Sequence, residues 1–202
     1  MTKTVFDQFD ATDSLTLELN FDFNEEEFFE FCRINRDLRI EQDENGTIHI
    51  TPPTGFDTGN FNSDINADLN IWNRKTKSGK VGDSNTGYTL PNGAVRSPDA
   101  SWVSNERLAK LTDEERQKFA PVCPEFVIET LSPSDSLSKL QSKMEEYIQN
   151  GSLLGWLIDR KNEQVHIYRA DDSVALIESF SKKLSGDEVL PGFEVLLSDF
   201  VA

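Results

Sequence analysis

The sequence predicts a single α/β domain. Apolar strand patterns alternate along the chain with amphipathic helical ones. The stretch 124–160, PEFVIETLSPSDSLSKLQSKMEEYIQNGSLLGWLIDR, reads as a strand, a turn, an amphipathic helix and a second strand. No internal repeat, low-complexity segment or interdomain linker interrupts the 202 residues, a length that suits one domain with a substantial core.

Residues 1–20 have sparse apolar positions and read as an arm or an edge strand. Asn24 is a candidate N-cap, followed by Glu25, Glu26 and Glu27 where the helix dipole favours acids. Phe28, Phe31 and Cys32 then give a buried stripe, which predicts a helix over 24–35. Arg39, Ile40 and Glu41 lead into a hairpin: Asp43-Glu44-Asn45-Gly46 is the turn, and Thr47 to Ile50 alternate as a strand. After Pro52 and Pro53, the spacing of Phe61, Ile65, Leu69 and Trp72 predicts a second helix over 58–75. Residues 81–95 are strand and turn material, 100–103 a strand, and 105–119 one or two short helices in which Thr112 and Glu115 form a capping box. The strand around Glu129 follows, then a helix over 135–150 stopped by Asn150-Gly151. Strands at 153–158 and 164–168 make a hairpin, and a strand over 174–180 with a short tail completes the chain.

Composition narrows the function. The net charge of −16, from 20 basic and 36 acidic residues, opposes a generic nucleic-acid coat protein but leaves room for a locally basic groove. One window, Trp72 to Lys80, carries Arg74, Lys75, Lys77 and Lys80 and no acid. It reads as a solvated helix C-terminus first and as a phosphate-binding patch second. Cys32 and Cys123 are too few for a disulfide framework, no apolar run reaches the ~20 residues that span a bilayer, and the N-terminus lacks signal-peptide character. The expectation is a cytoplasmic protein with no membrane partner.

Two acids stand out. Glu129 sits among Phe126, Val127, Ile128 and Leu131, and an unpaired carboxylate taken out of water either costs several kcal/mol or changes its pKa. Strand alternation puts Val127, Glu129 and Leu131 on one face and Phe126, Ile128 and Thr130 on the other. Its bland explanation is a buried ion pair with Arg96 or Lys143. Asp99 opens the next apolar strand upstream, behind Pro98, and its bland explanation is a turn aspartate bonding backbone amides. In the helix after Glu129, the stripe Leu137, Leu140, Met144, Tyr147 and Ile148 places Lys143 at one border and Gln141 at the other. Lys143 is either a surface lysine or a cation facing the sheet; as a partly exposed residue, its replacement by Met should change stability little. Glu41 is a solvated edge residue or a third acid. Two hard carboxylates and a cation are what a metal-dependent phosphodiesterase requires. His49 and His166 lack ligand-spaced partners and read as structural, the serines of 132–136 as turn and cap, and neither a Walker-type loop nor a sugar cleft is marked.

The segments VRSPDASWV (95–103), PEFVIETLSPSDS (124–136), KMEEYIQNG (143–151) and GWLIDRKNEQVHIYR (155–169) resemble the restriction endonuclease family called Uma-two, within the PD-(D/E)XK nuclease superfamily. LRIEQDENGTIHITPPTG (38–55) and LPGF (190–193) extend the similarity over most of the chain. The resemblance implies a restriction-endonuclease-like mixed central sheet flanked by helices over 21–202, with 1–20 as an N-terminal arm. It also implies Mg²⁺- or Mn²⁺-dependent cleavage of nucleic acid, DNA first among the substrates. Asp99 and Glu129 match the metal-binding acids. Leu131 stands where the parent pattern has lysine, and Lys143 matches the lysine supplied from the following helix; Glu41 and Gln141 are weaker catalytic candidates. Pairing of nucleases that cut both strands makes a homodimer an expectation. The rival reading, supported by the acidic charge, is a catalytically silent scaffold using this fold for protein contacts.

Overall fold

The structure is a computed structural model that describes residues 17–200 other than 22 and 134. Residues 1–16 of the expected arm lie outside the described residues; Leu17–Asn20 form β1, an edge strand paired with β3 (Thr47–Thr51). Between them, α1 (Glu25–Ile34) begins at a reciprocal cap: Glu27 N donates to the Asn24 side chain and Asn24 N to the Glu27 carboxylate, both at 3.0 Å. β2 (Arg39–Gln42), β5 (Tyr88–Thr89) and β6 (Val95–Arg96) complete a five-stranded antiparallel sheet in the order β1-β3-β2-β6-β5. Phe28 packs on its face with Ile40, Ile48 and Val95.

The second sheet is the mixed central one. Its strands are β4 (Gly79–Asp83), β7 (Ala100–Ser104), β8 (Phe126–Leu131), β9 (Leu154–Asp159), β10 (Gln164–Arg169) and β11 (Val174–Ile177), ordered β11-β10-β9-β8-β7-β4. β8 and β9 are parallel, joined by the crossover helix α4 (Leu137–Gln149); their other neighbours run antiparallel. The alternation of β8 divides the core. Phe126 and Ile128 face α2 (Phe56–Thr76), whose Phe61, Ile65, Leu69 and Trp72 are buried, while Val127 packs with Met144 and Tyr147 of α4.

Two expectations are corrected in detail. The final strand stops at Ile177, and the tail contains a further hairpin, β12 (Lys183–Ser185) with β13 (Glu194–Leu196). Its apolar residues are spread among turns and carry little periodicity, yet Phe193 stacks on Trp156 at 5.8 Å and helps close the α2 side of the core. The span 105–119 holds one short helix, α3 (Asn105–Leu108), and a single 3₁₀ turn at Glu115–Gln117, with Thr112 and Glu115 capping each other as expected. No helix among the described residues is long and apolar enough to cross a membrane.

Gly79 explains the break between Lys77 and Lys80. A Cβ there would collide with the Val103 carbonyl oxygen on the paired strand and come 2.7 Å from the Trp102 indole. Backbone cannot yield as a flexible side chain would. Gly79→Ala should therefore lower stability by about 1–3 kcal/mol, as overpacking does, read as a shift of the urea midpoint; an unchanged midpoint would show that β4 and β7 can separate without cost.

Candidate active site

Three elements converge at the end of the central sheet where β7 begins and β8 ends. Asp99 immediately precedes β7, and the register Ala100↔Ile128 carries it alongside Glu129 of β8. Its Oδ2 accepts from the backbone N of Thr130 at 2.9 Å, and its Oδ1 faces the Arg39 guanidinium at 3.2 Å. Arg39 also donates to the Ser97 carbonyl at 2.8 Å, and Asn66 of α2 donates to the Asp99 carbonyl at 3.0 Å. The contacts of Glu129 meet at Oε1, which lies 2.8 Å from Lys143 Nζ and accepts from the Tyr147 hydroxyl at 3.1 Å.

Glu41 reaches the same point from the other sheet. Its Oε1 accepts from Lys143 Nζ and from the backbone N of Ser97, each at 2.9 Å, and its Oε2 lies 3.6 Å from Arg96. Arg96 is held in turn by Glu146 at 2.6 Å, and Glu146 by Asn92 at 2.9 Å. A groove of about 630 Å³ between α4 and the β2–β3 hairpin opens onto Glu41, Arg96 and Lys143.

Asp99, Glu129, Lys143 and Glu41 are thus brought together, and all are buried or nearly so. The readings of Glu41 as a solvated edge residue and of Lys143 as a surface lysine are overturned. β2 lies inside its sheet between β3 and β6, and the Lys143 side chain keeps 13% of its exposure. The expectation that Lys143→Met leaves stability nearly unchanged falls with it, since two buried carboxylates would lose their shared cation, a loss of about 3–5 kcal/mol. Of the two partners weighed for Glu129, Lys143 is the one it meets; Arg96 serves Glu41 and Glu146. Gln141 is half-buried and makes no hydrogen bond to the cluster among the described residues. Arg74, Lys75, Lys77 and Lys80 are exposed around the C-terminal end of α2, Lys77 capping it with φ 54°. Arg74 lies two turns beyond Asn66, about 12 Å along the axis, so the run stands apart from the acids. His49 pairs with Asp43 at 3.2 Å.

Arg39, Arg96, Glu146 and Tyr147 complete the cluster beyond the residues singled out as candidates. For Arg39 the signal was present: in a strand it shares a face with Glu41, two positions on. Nothing local in the sequence marks Glu146, whose partners Arg96 and Asn92 are 50 and 54 positions away.

Electrostatics separates the two deeper glutamates. Burial would raise Glu41, but Lys143, Arg96 and Arg39 outweigh it and hold the carboxyl down at about 2. Burial pushes the Glu129 carboxyl up to about 7; Lys143 and Arg39 pull it back, while Asp99 and Glu41 push it further up. Glu129 is therefore the less compensated of these two glutamates. Burial opposes the charges of Lys143, Arg39 and Arg96, but the surrounding carboxylates more than offset this and raise all three. Among the described residues no three His, Cys, Asp or Glu side chains converge as a metal-ligand group. The donor set that remains is two adjacent hard carboxylates, Asp99 and Glu129, which suits Mg²⁺, an ion often held by one or two carboxylates with water and substrate phosphate completing its shell.

A family model described as Uma2, putative restriction endonuclease, matches residues 25–198. A solved structure described as a putative nuclease belonging to DUF820, from Anabaena variabilis ATCC 29413, matches with a TM-score of 0.69 and 18% identity. The match covers 80% of this chain and 88% of that one, and at this identity the likeness establishes the fold. No curated protein sequence matches.

The opposed shifts of the two glutamates give a pH signature. With its carboxyl raised from 4.5 to about 7, Glu129 contributes stability that is present below pH 4.5 and lost as pH rises through 7. Glu41, lowered from 4.5 to about 2, does the reverse, losing its contribution only as pH falls below 4.5. Glu129→Gln should thus gain on wild type by on the order of 2–3 kcal/mol between pH 4.5 and 7.5. Urea unfolding of both proteins across that range measures it, and parallel stability curves would contradict it.

Proposed function

The chain belongs to the Uma2 putative restriction endonuclease family, and from that premise we propose that it is a metal-dependent endonuclease hydrolysing phosphodiester bonds of nucleic acid, DNA in the first instance. The observation that carries the reading is the meeting of Asp99 and Glu129 from neighbouring strands, with Lys143 in contact with the deeper acid. Asp99 and Glu129 would hold Mg²⁺ or Mn²⁺ through their carboxylate oxygens. Bound there, the ion supplies Lewis-acid polarisation of the phosphate and a water of lowered pKa.

The protein's own groups do the rest. The ammonium of Lys143 offsets negative charge that develops on the phosphate, the role left open by Leu131. Glu41 fixes that ammonium through Oε1 and is itself fixed by the Ser97 amide and Arg96, so the cation is aimed before substrate arrives. Tyr147 orients the Glu129 carboxylate by donating to Oε1. Arg39, a third exposed in its side chain, lies against Asp99 and is a second cation for the scissile phosphate.

The alternative is a catalytically silent scaffold. One observation favours it: Asp99, Glu129 and Glu41 are each already in contact with a cation. The discriminating experiment uses wild type, Asp99→Asn and Glu129→Gln on supercoiled plasmid and single-stranded oligonucleotide with Mg²⁺ or Mn²⁺. The nuclease reading expects cleavage that EDTA abolishes and that either substitution lowers by at least ~10². Lys143→Arg, which keeps the charge, should remain folded with reduced turnover. A wild type that stays intact toward both substrates, while melting at an unchanged temperature with and without Mg²⁺, would leave the scaffold.

A further inference from the structure

Resting on the nuclease reading, we propose that Arg160, with Asn62 beside it on α2, binds a backbone phosphate of the substrate strand a few nucleotides from the carboxylate cluster. Arg160 immediately follows β9, at the same sheet end as Glu129 and Asp99. The parallel register pairs Glu129 with Leu157, three residues before Arg160, which places the arginine about 10 Å along the sheet from the acid at ~3.3 Å per residue. That distance is about three steps of a DNA strand at ~3.4 Å of rise.

Arg160 is unusual for its lack of an acid. In a chain with 36 acidic residues, its guanidinium pairs with no carboxylate among the described residues. The adjacent Asp159 is engaged with Asn162, at 3.1 Å to its amide N and 2.7 Å to its side chain. What holds Arg160 is neutral: its Nη1 donates to Thr58 Oγ1 at 3.2 Å, and its guanidinium lies 5.1 Å from the Phe61 ring centroid. Its Nε is buried and without a hydrogen-bond partner among the described residues. One helical turn beyond Thr58, Asn62 carries a second such atom, a buried Oδ1 with no hydrogen-bond partner among the described residues. Rotated by half a turn, the same amide presents its NH₂ there. The next turn brings Asn66, already bonded to the Asp99 carbonyl. Thr58, Asn62 and Asn66 therefore form a polar stripe on α2 leading from Arg160 to the Asp99 backbone. A fixed planar guanidinium with unspent donors, beside an adaptable amide, is a recognition element for a phosphate group. Lys161, exposed and next in sequence, adds positive potential at the entrance.

The test measures binding of fluorescently labelled single-stranded and duplex oligonucleotides to the full chain in EDTA, by anisotropy across a salt series, alongside a Mg²⁺ cleavage assay. Arg160→Gln should weaken binding roughly five- to tenfold at 0.1 M salt. It should also flatten the slope of log K against log salt by ~0.9 on duplex or ~0.7 on single strands, the signature of one lost phosphate contact. Arg160→Lys should keep most of the slope. Asn62→Asp leaves the packing on Phe61 intact and supplies the missing acid, so it should reproduce the loss even where Arg160→Gln folds poorly. If wild type binds and both Arg160→Gln and Asn62→Asp keep its slope, the phosphate site is overturned and the nuclease reading stands. If wild type neither binds nor cleaves, the nuclease reading fails and takes this site with it. Displacement of the oligonucleotide by millimolar inorganic phosphate at constant ionic strength, seen in wild type and absent in Arg160→Gln, would reassign the site to free phosphate.

Discussion

One ammonium group governs the architecture of the site. Lys143 Nζ lies within hydrogen-bonding distance of Glu129 on the six-stranded sheet and of Glu41 on the five-stranded sheet, and it is carried by the helix that covers the first of these. Two carboxylates buried this deeply are tolerated because a cation lies between them, and removing either partner leaves charge in a medium that solvates it poorly. The rest of the cluster extends the same logic outward. Ser97 lends its amide to Glu41 and its carbonyl to Arg39, so the turn before β7 is stitched to β2 by groups of both signs. The relative placement of the two sheets and the geometry of the acids are consequently one problem with one solution.

Much of this was legible in the chain. Asn24 with Glu27, the Phe61-to-Trp72 stripe and the apolar run around Glu129 each report local rules, and the elements they imply are present within a few residues. The oddity of Glu129 was the best single signal, since alternation placed it on the α4 face with Lys143 one turn from Tyr147. What was illegible depends on distance. Glu41 looked like a strand-end acid because nothing nearby in sequence shows that β6 will close over β2. The β12–β13 hairpin was missed for another reason: its core residues are recruited singly between turns, so Phe193 has no periodic neighbours to announce it.

The net charge and the candidate function are reconciled by segregation. The positive groups that concern the site, Arg39, Arg96 and Lys143, are spent on internal carboxylates and add little to the field outside. The exposed run at the end of α2 lies outside the carboxylate cluster and complements the dipole of its own helix. Attraction of a polyanion must therefore come from short-range contacts rather than from long-range steering, which screening by salt would weaken in any case.

The cluster's contacts also span the chain. Arg39 and Asp99 are 60 positions apart, Glu41 and Lys143 are 102, and Arg160 reaches Thr58 across another 102. Loop closure over such separations costs chain entropy before the contacts repay it, so a fold completed by these bonds is reached more slowly than one built from helices and hairpins alone. The buried charges therefore tie the site to the chain's long-range topology: a break at any of these pairs loosens segments that no local contact would bring back together.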